Sequence, residues 1–173
     1  MMTNILLTGT PGIGKTTAIR KIVSNLDSTE VAGFWSSEIR IDGRRVGFAI
    51  ETISGEKGIL AHVDFKEGPR VGKYSVNVSE IESIIVPELV LARESGHIIV
   101  IDEIAKMELY SQRFLQEIRK CLNTKHVLGT IQERRHPFLD EVRSRRDVTL
   151  FELTTENRDK IPLQILQLLG QES

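Results

Sequence analysis

The chain has 173 residues, 40% of them hydrophobic and 27% charged, with a formal net charge of −1 at pH 7. This composition fits one globular domain with a sizeable core, excludes a disordered or fibrous chain, and offers no general attraction to nucleic acid or anionic lipid. The longest aliphatic runs, such as IIVI at 98–101, are too short to span a bilayer, the first residues show no basic segment followed by an apolar signal region, and the single cysteine, Cys121, excludes an internal disulfide, so a cytoplasmic protein with no membrane or nucleic-acid partner is expected.

In chain order, ILL at 5–7 is an aliphatic run bounded by polar and turn residues, as expected of a strand covered on both faces. After Lys15 the apolar residues Ala18, Ile19, Ile22, Val23 and Leu26 form the stripe of an amphipathic helix. From about 31 to 78 the period changes to two. Asp42-Gly43, between Ile39, Ile41 and Val46, Phe48, Ile50, is a two-residue hairpin signal. GILAHVDF and KYSVNV continue the alternation, so this region is an inserted antiparallel meander, either a side sheet or an extension of the main one.

Ser79 with Glu82 forms a capping-box pattern for a helix ending near Gly96, which Pro87 is expected to bend or interrupt. HIIVIDEI predicts a second buried strand, QRFLQEIRKCL a helix, HVLGTI and VTLFEL two more strands around a helical PFLDEVRS, and a last helix starts near Pro162. Buried strands alternating with helices predict an α/β domain over 1–173, with a mainly parallel sheet flanked by helices on both faces.

Two segments carry chemistry. GTPGIGKT at 9–16 fits the pattern G-x-x-x-x-G-K-[ST] at every fixed position, and it joins the predicted first strand to the predicted first helix. In that context main-chain N–H groups wrap a phosphate and the helix N-terminus adds its positive end. Nucleotide contacts are therefore expected from Gly9, Thr10, Pro11, Gly12, Ile13, Gly14, Lys15, Thr16 and Thr17. Gly12 and Gly14 supply unusual dihedrals, Lys15 reaches the β- and γ-phosphates, and Thr16 ligates Mg²⁺.

The second segment is IIVIDEI. Its aliphatic residues drive the strand through the sheet, so Asp102 emerges at the C-terminal end, where open α/β sheets bind ligands, and holds Mg²⁺. Glu103 beside it is placed to accept a proton from an attacking water. These residues point to hydrolysis of ATP, GTP and other NTPs. Two alternatives stand beside it. The basic stretch ERRHPFLDEVRSRR, with Arg134, Arg135, Arg143, Arg145 and Arg146, is the acceptor pocket of a kinase or a solvated face. The inserted hairpins suit a regulatory binding module that responds to the γ-phosphate, its protein partner unknown. The histidines His62, His97, His126 and His136 have no metal-ligand spacing.

Across nearly its whole length the chain resembles the small P-loop nucleoside triphosphatases of the type first described in thermophilic bacteria, a group that includes the cancer-related nucleoside triphosphatase. LTGTPGIGKTT, GFWSSEIR, GRRVGF, VGKY, VIDEIAKMELYSQRF, GTI and TTENRDKIP carry the resemblance. It implies a RecA-like or AAA-like P-loop domain of the catalytic-glutamate type, and slow, Mg²⁺-dependent hydrolysis of several NTPs to NDP and phosphate. It also implies Lys106 as a second catalytic cation near the γ-phosphate. Ala105 stands where the family usually has glycine, a change that matters if the position needs a positive φ. Thr130, at the end of its strand, is a candidate sensor of the γ-phosphate. Asn157 and Arg158 follow the last strand, where a base or ribose would lie, unless they cap the last helix. Trp35 either stacks on a base or is simply buried.

Overall fold

The structure is a computed structural model that describes residues 3–170. Nine strands form one sheet: β1 (Asn4–Thr8), β2 (Val31–Ile41), β3 (Arg44–Thr52), β4 (Lys57–His62), β5 (Arg70–Val71), β6 (Tyr74–Val76), β7 (Ile98–Ile104), β8 (Val127–Ile131) and β9 (Val148–Glu152), in the order β5-β6-β4-β3-β2-β7-β8-β1-β9. The half from β2 to β9 is parallel, with β1 between β8 and β9 and β7 between β2 and β8.

The meander is an extension of this sheet. Val31–Phe34 pair in parallel with Ile98–Ile101, while Phe34–Ile41 of the same strand pair antiparallel with β3. One strand thus belongs to both regions. Asp42 and Gly43 make the predicted two-residue turn, both with positive φ (48° and 76°), which matches the twist of the flanking strands.

Period-two alternation in the parallel strands separates two cores. Leu6, Phe34, Ile99, Ile101 and Val127 face one side, and Ile5, Leu7, Val31, Val100 and Leu128 face the other. On the second side α1 (Lys15–Val23) and α6 (Ile161–Gly170) pack through Ile19, Ile22 and Ile165. The first side is covered by α3 (Val86–Glu94), α4 (Gln112–Asn123) and α5 (Pro137–Arg143), through Leu89, Phe114, Ile118 and Leu139. Each face buries an apolar stripe, which is what holds three layers together. Cys121 is fully buried in α4, and burial pushes its thiol up to about 12, so it is an inert core residue.

One expectation changes in the helix before β7. Its cap is Asn77, whose side chain accepts from the Glu80 N–H at 3.3 Å. Ser79 lies inside α2 (Val78–Glu80), and Glu82 instead accepts from the Ser111 hydroxyl at 2.8 Å. The chain leaves β6 at Val76, so the turn into the helix falls two residues earlier than the capping-box pattern placed it. At Pro87 the α-helical hydrogen bonding is interrupted, as expected, without ending the helix. The hydrogen bonding widens to π spacing over Ile81–Ile85, and Pro87 follows in the first turn of α3, where its missing N–H is tolerated. The end near Gly96, which has φ 71°, is as expected.

Candidate active site

Backbone geometry builds the loop between β1 and α1. Gly9 has φ +139°, and a Cβ there would stand 2.8 Å from the Leu153 carbonyl oxygen, so the loop passes too close to the end of β9 for any side chain. Gly12 and Gly14 have φ +81° and +110° with open space beside them; there the dihedral alone requires glycine. Thr10, Pro11 and Gly12 are exposed, so the concave loop opens to solvent. Lys15 folds over it, its Nζ donating to the Gly9 carbonyl at 2.8 Å and the Thr10 carbonyl at 3.4 Å.

β7 brings two acids to this loop. Its pairing with β8 runs from Ile101 opposite Gly129 to Ile104 opposite Ile131, a bulge that gives β7 one extra residue at Asp102 and Glu103. Regular alternation would send two neighbouring side chains to opposite faces, and a bulge re-aims them. Asp102 Oδ1 accepts from the Thr16 hydroxyl at 3.0 Å, and Glu103 Oε1 lies 3.9 Å from Lys15 Nζ. Consecutive acids therefore meet consecutive residues of the loop.

Burial dominates the electrostatics. It raises the Asp102 carboxyl above its ordinary range, opposed by the hydroxyls of Thr16 and Thr130 and by the charge of Arg20. Burial likewise raises Glu103, opposed by Lys15 and assisted by Asp102. Desolvation disfavours the charged form in both cases.

Asp102 is 1% exposed, and its Oδ2 is buried without a hydrogen-bond partner. An orphaned carboxylate oxygen beside a threonine hydroxyl fits a hard divalent cation. Among the described residues no group of three or more His, Cys, Asp or Glu could hold a metal. One carboxylate and one hydroxyl, with the rest of the shell left to water and substrate phosphates, is the donor set that suits Mg²⁺.

The remaining expected residues fall in different places. Thr130, the candidate sensor, is fully buried and donates to Asp102 Oδ1 at 3.1 Å. Asn157 is committed to the turn after β9, its side chain accepting from Thr154 N–H at 2.8 Å and donating to the Glu152 carbonyl at 2.9 Å. That turn adjoins the phosphate loop through the Leu153 N–H bond to Thr8, and the neighbouring Arg158 is exposed. Trp35 is half-buried with the Arg20 guanidinium 4.8 Å from its ring centre, so packing and a cation–π contact account for it. Ala105 does not have a positive φ, and the glycine it replaces is not required there. Its neighbour Lys106 donates its backbone N–H to Gln132 Oε1 at 3.3 Å.

Of the arginine-rich stretch, Arg143 binds Asp140 and the Gln132 carbonyl, and Arg145 binds Asp147 at 2.7–2.8 Å. Arg145 also donates to Asn123 Oδ1 at 2.9 Å, at the end of α4, so both arginines are engaged in contacts that fix the fold. Arg135 is 93% exposed in its side chain. Arg134 is exposed, and its carbonyl accepts from Arg143 at 2.9 Å.

One acid escaped the sequence reading. Glu108, in the 3-10 turn Glu108–Tyr110, is 2% exposed, has an unpartnered Oε2, and is pushed by burial well above the usual carboxylate range, with the charges of Glu103 and Asp102 adding to the shift. Its only trace in the sequence is its place in the DEIAKMEL segment.

A family model described as NTPase matches residues 4–166. The chain belongs to this NTPase family. It is 42% identical over 166 residues to the nucleoside-triphosphatase THEP1 of Thermotoga maritima, covering 95% of this chain and 94% of the relative. It is 40% identical over 177 residues to the human cancer-related nucleoside-triphosphatase, covering 93% of each. Among solved structures it is similar to the crystal structure of THEP1 from Aquifex aeolicus, with TM-score 0.88, 40% identity and coverage of 96% of this chain and 98% of that one. The solution structure of the human protein gives TM-score 0.81 at 37% identity over 99% of each. The family's fold is the P-loop NTPase fold expected from the sequence, with the hairpins continuous with its sheet.

Proposed function

We propose that this protein hydrolyses nucleoside triphosphates, ATP and GTP among them, to diphosphate and phosphate with Mg²⁺ and little base preference. One observation carries the reading: Asp102 meets Thr16 at 3.0 Å while Glu103 meets Lys15 at 3.9 Å, at the mouth of a loop whose backbone only glycine permits. That its relatives are named nucleoside-triphosphatases supports it.

In this reading the amides of Gly12 to Lys15 and the start of α1 hold the phosphates. Lys15 leaves the Gly9 and Thr10 carbonyls for the β- and γ-oxygens. Thr16 and Asp102 hold Mg²⁺, which when bound neutralises charge on the β- and γ-phosphates. Glu103 orients water and takes its proton, a task suited to a partly buried carboxylate whose affinity for protons is raised. Lys106 serves as the second cation near the γ-phosphate, where charge stabilisation is the main contribution available. Relaxed base preference is in keeping with Asn157 and Trp35, whose polar or aromatic groups are already engaged. A cytoplasmic location goes with the free, buried thiol and with the absence, among the described residues, of any helix long and apolar enough to cross a membrane.

The test is phosphate release from MgATP and MgGTP with no acceptor added. Folded protein that binds either nucleotide and releases no phosphate would overturn hydrolysis, and NDP formation only with an added acceptor would move the assignment to a kinase.

A further inference from the structure

A cavity of about 340 Å³ opens beside the catalytic loops, lined by Arg70, Lys106, Arg134 and His136, with Leu109 and Tyr110 as its less polar wall. The cations come from separate stretches of chain. Arg70 lies on β5 at one end of the sheet, Lys106 on the loop three residues after Glu103, and Arg134 four residues after Thr130. The loops after β7 and β8 are joined by the Lys106 N–H bond to Gln132 and the Gln132 N–H bond to the Ile104 carbonyl at 3.1 Å.

No carboxylate lines this cavity, and among the described residues Arg70, Lys106 and Arg134 form no ion pair. The contrast with Arg93, Arg119, Arg143 and Arg145 is plain, since each of these has a carboxylate within 2.7 Å. Gathering three cations in one concavity costs repulsion that a chain of net charge −1 could have cancelled with its own acids. A bound anion offsets that cost. Arg side chains suit phosphate oxygens through paired N–H groups, and Tyr110, 48% exposed, offers a flat surface beside them.

We propose that this cavity is a second phosphate-binding site, separate from the glycine loop, for a small phosphate-bearing molecule. It goes beyond the hydrolysis reading and does not depend on it. Two sources share the chemistry: free inorganic phosphate, and a phosphomonoester whose organic part lies on Tyr110. Lys106 lines the cavity from the loop that follows Glu103, so it is the cation the two sites would share, and Arg70 and Arg134 are the cavity's own.

The experiment saturates the glycine loop with a non-hydrolysable MgATP analogue. Inorganic phosphate and adenosine monophosphate are then titrated separately by calorimetry at fixed ionic strength. Saturable binding of at least one probe is expected, weakened on the order of tenfold by Arg134→Ala and further by Arg70→Ala with Arg134→Ala, a loss of about 1.4 kcal/mol per tenfold step. The analogue's own affinity stays unchanged in both variants, because neither arginine is part of the loop. Equal affinities for the two probes assign the site to free phosphate, and clearly tighter binding of adenosine monophosphate assigns it to an ester. Absence of saturable binding by either probe, or binding that Arg134→Ala leaves unchanged, overturns the proposal. Arg70 also donates to the Ser75 hydroxyl at 3.1 Å, so the single Arg134 variant, at an exposed position, decides the matter if the double variant does not fold. Failure of the analogue to bind the glycine loop would count against the hydrolysis reading alone.

Discussion

The buried Thr130 hydroxyl donates to Asp102 Oδ1 at 3.1 Å, and Thr16 donates to the same oxygen at 3.0 Å, which leaves Oδ2 free. Two threonines on different elements thus fix one carboxylate with its second oxygen available. Thr130→Val keeps the shape and removes one donor. It should lower Tm by roughly 2–4 °C, from a net loss of about 1 kcal/mol, and raise the Mg²⁺ concentration for half-maximal turnover on the order of tenfold, the usual cost of losing a group that orients a metal ligand. A Mg²⁺ titration that superimposes on the parent's would reduce Thr130 to a packing residue.

Glu103→Gln removes the proposed proton acceptor while keeping size and polarity. Affinity for the Mg-nucleotide should hold, and turnover should drop by about a hundredfold or more, the range of general base catalysis. Parallel equilibrium binding and phosphate-release assays check both halves. In the parent, burial raises the carboxyl above its ordinary 4.5, so the acid limb of kcat/KM should fall at a pH higher than that value. Turnover unaffected by the substitution would take Glu103 out of the base role.

Gly9→Ala puts a methyl group 2.8 Å from the Leu153 carbonyl oxygen at a φ of +139°. Moving the loop away from β9 or straining the backbone costs about 1–3 kcal/mol, which thermal denaturation should register as a drop of several degrees. Nucleotide affinity should fall with it, since the loop's amides shift. Gly12→Ala, with nothing within 4 Å of the added atom, carries only the dihedral strain and should be less destabilising.

Glu108 offers a prediction about pH. Burial raises its folded-state pKa well above the ordinary 4.5. Below the unfolded value the carboxyl is neutral in both states and costs nothing in charge burial. Between the unfolded and folded values the native state binds more protons, so its stability declines as pH rises through that window. Glu108→Gln is neutral throughout. The Tm of the variant relative to the parent should therefore climb from about pH 4 toward neutrality; a difference that is flat with pH would show that Glu108 is not a buried acid of this kind.

Much of the site was legible in the sequence because its chemistry is local. GTPGIGKT needs only its own residues and the flanking strand and helix to make a phosphate loop, and four aliphatic residues before Asp102 suffice to place an acid at a strand end. The three-layer fold follows from alternating runs of short-period and helical hydrophobicity for the same reason. Capping, by contrast, was misplaced at Ser79 because the helix start depends on where β6 releases the chain, not on the helix's own pattern.

Relations between distant segments were settled only by the tertiary structure. The bulge opposite β8 aims Asp102 and Glu103 at the same loop, Thr130 spends its hydroxyl on Asp102 across 28 residues, and β2 belongs at once to the parallel core and to the hairpins. Arg70, Lys106 and Arg134 share one cavity although nothing in the sequence links them. Local pattern records what a segment can do alone; which donor, charge or backbone carbonyl it meets is set by sheet register and packing, and those are properties of the whole chain.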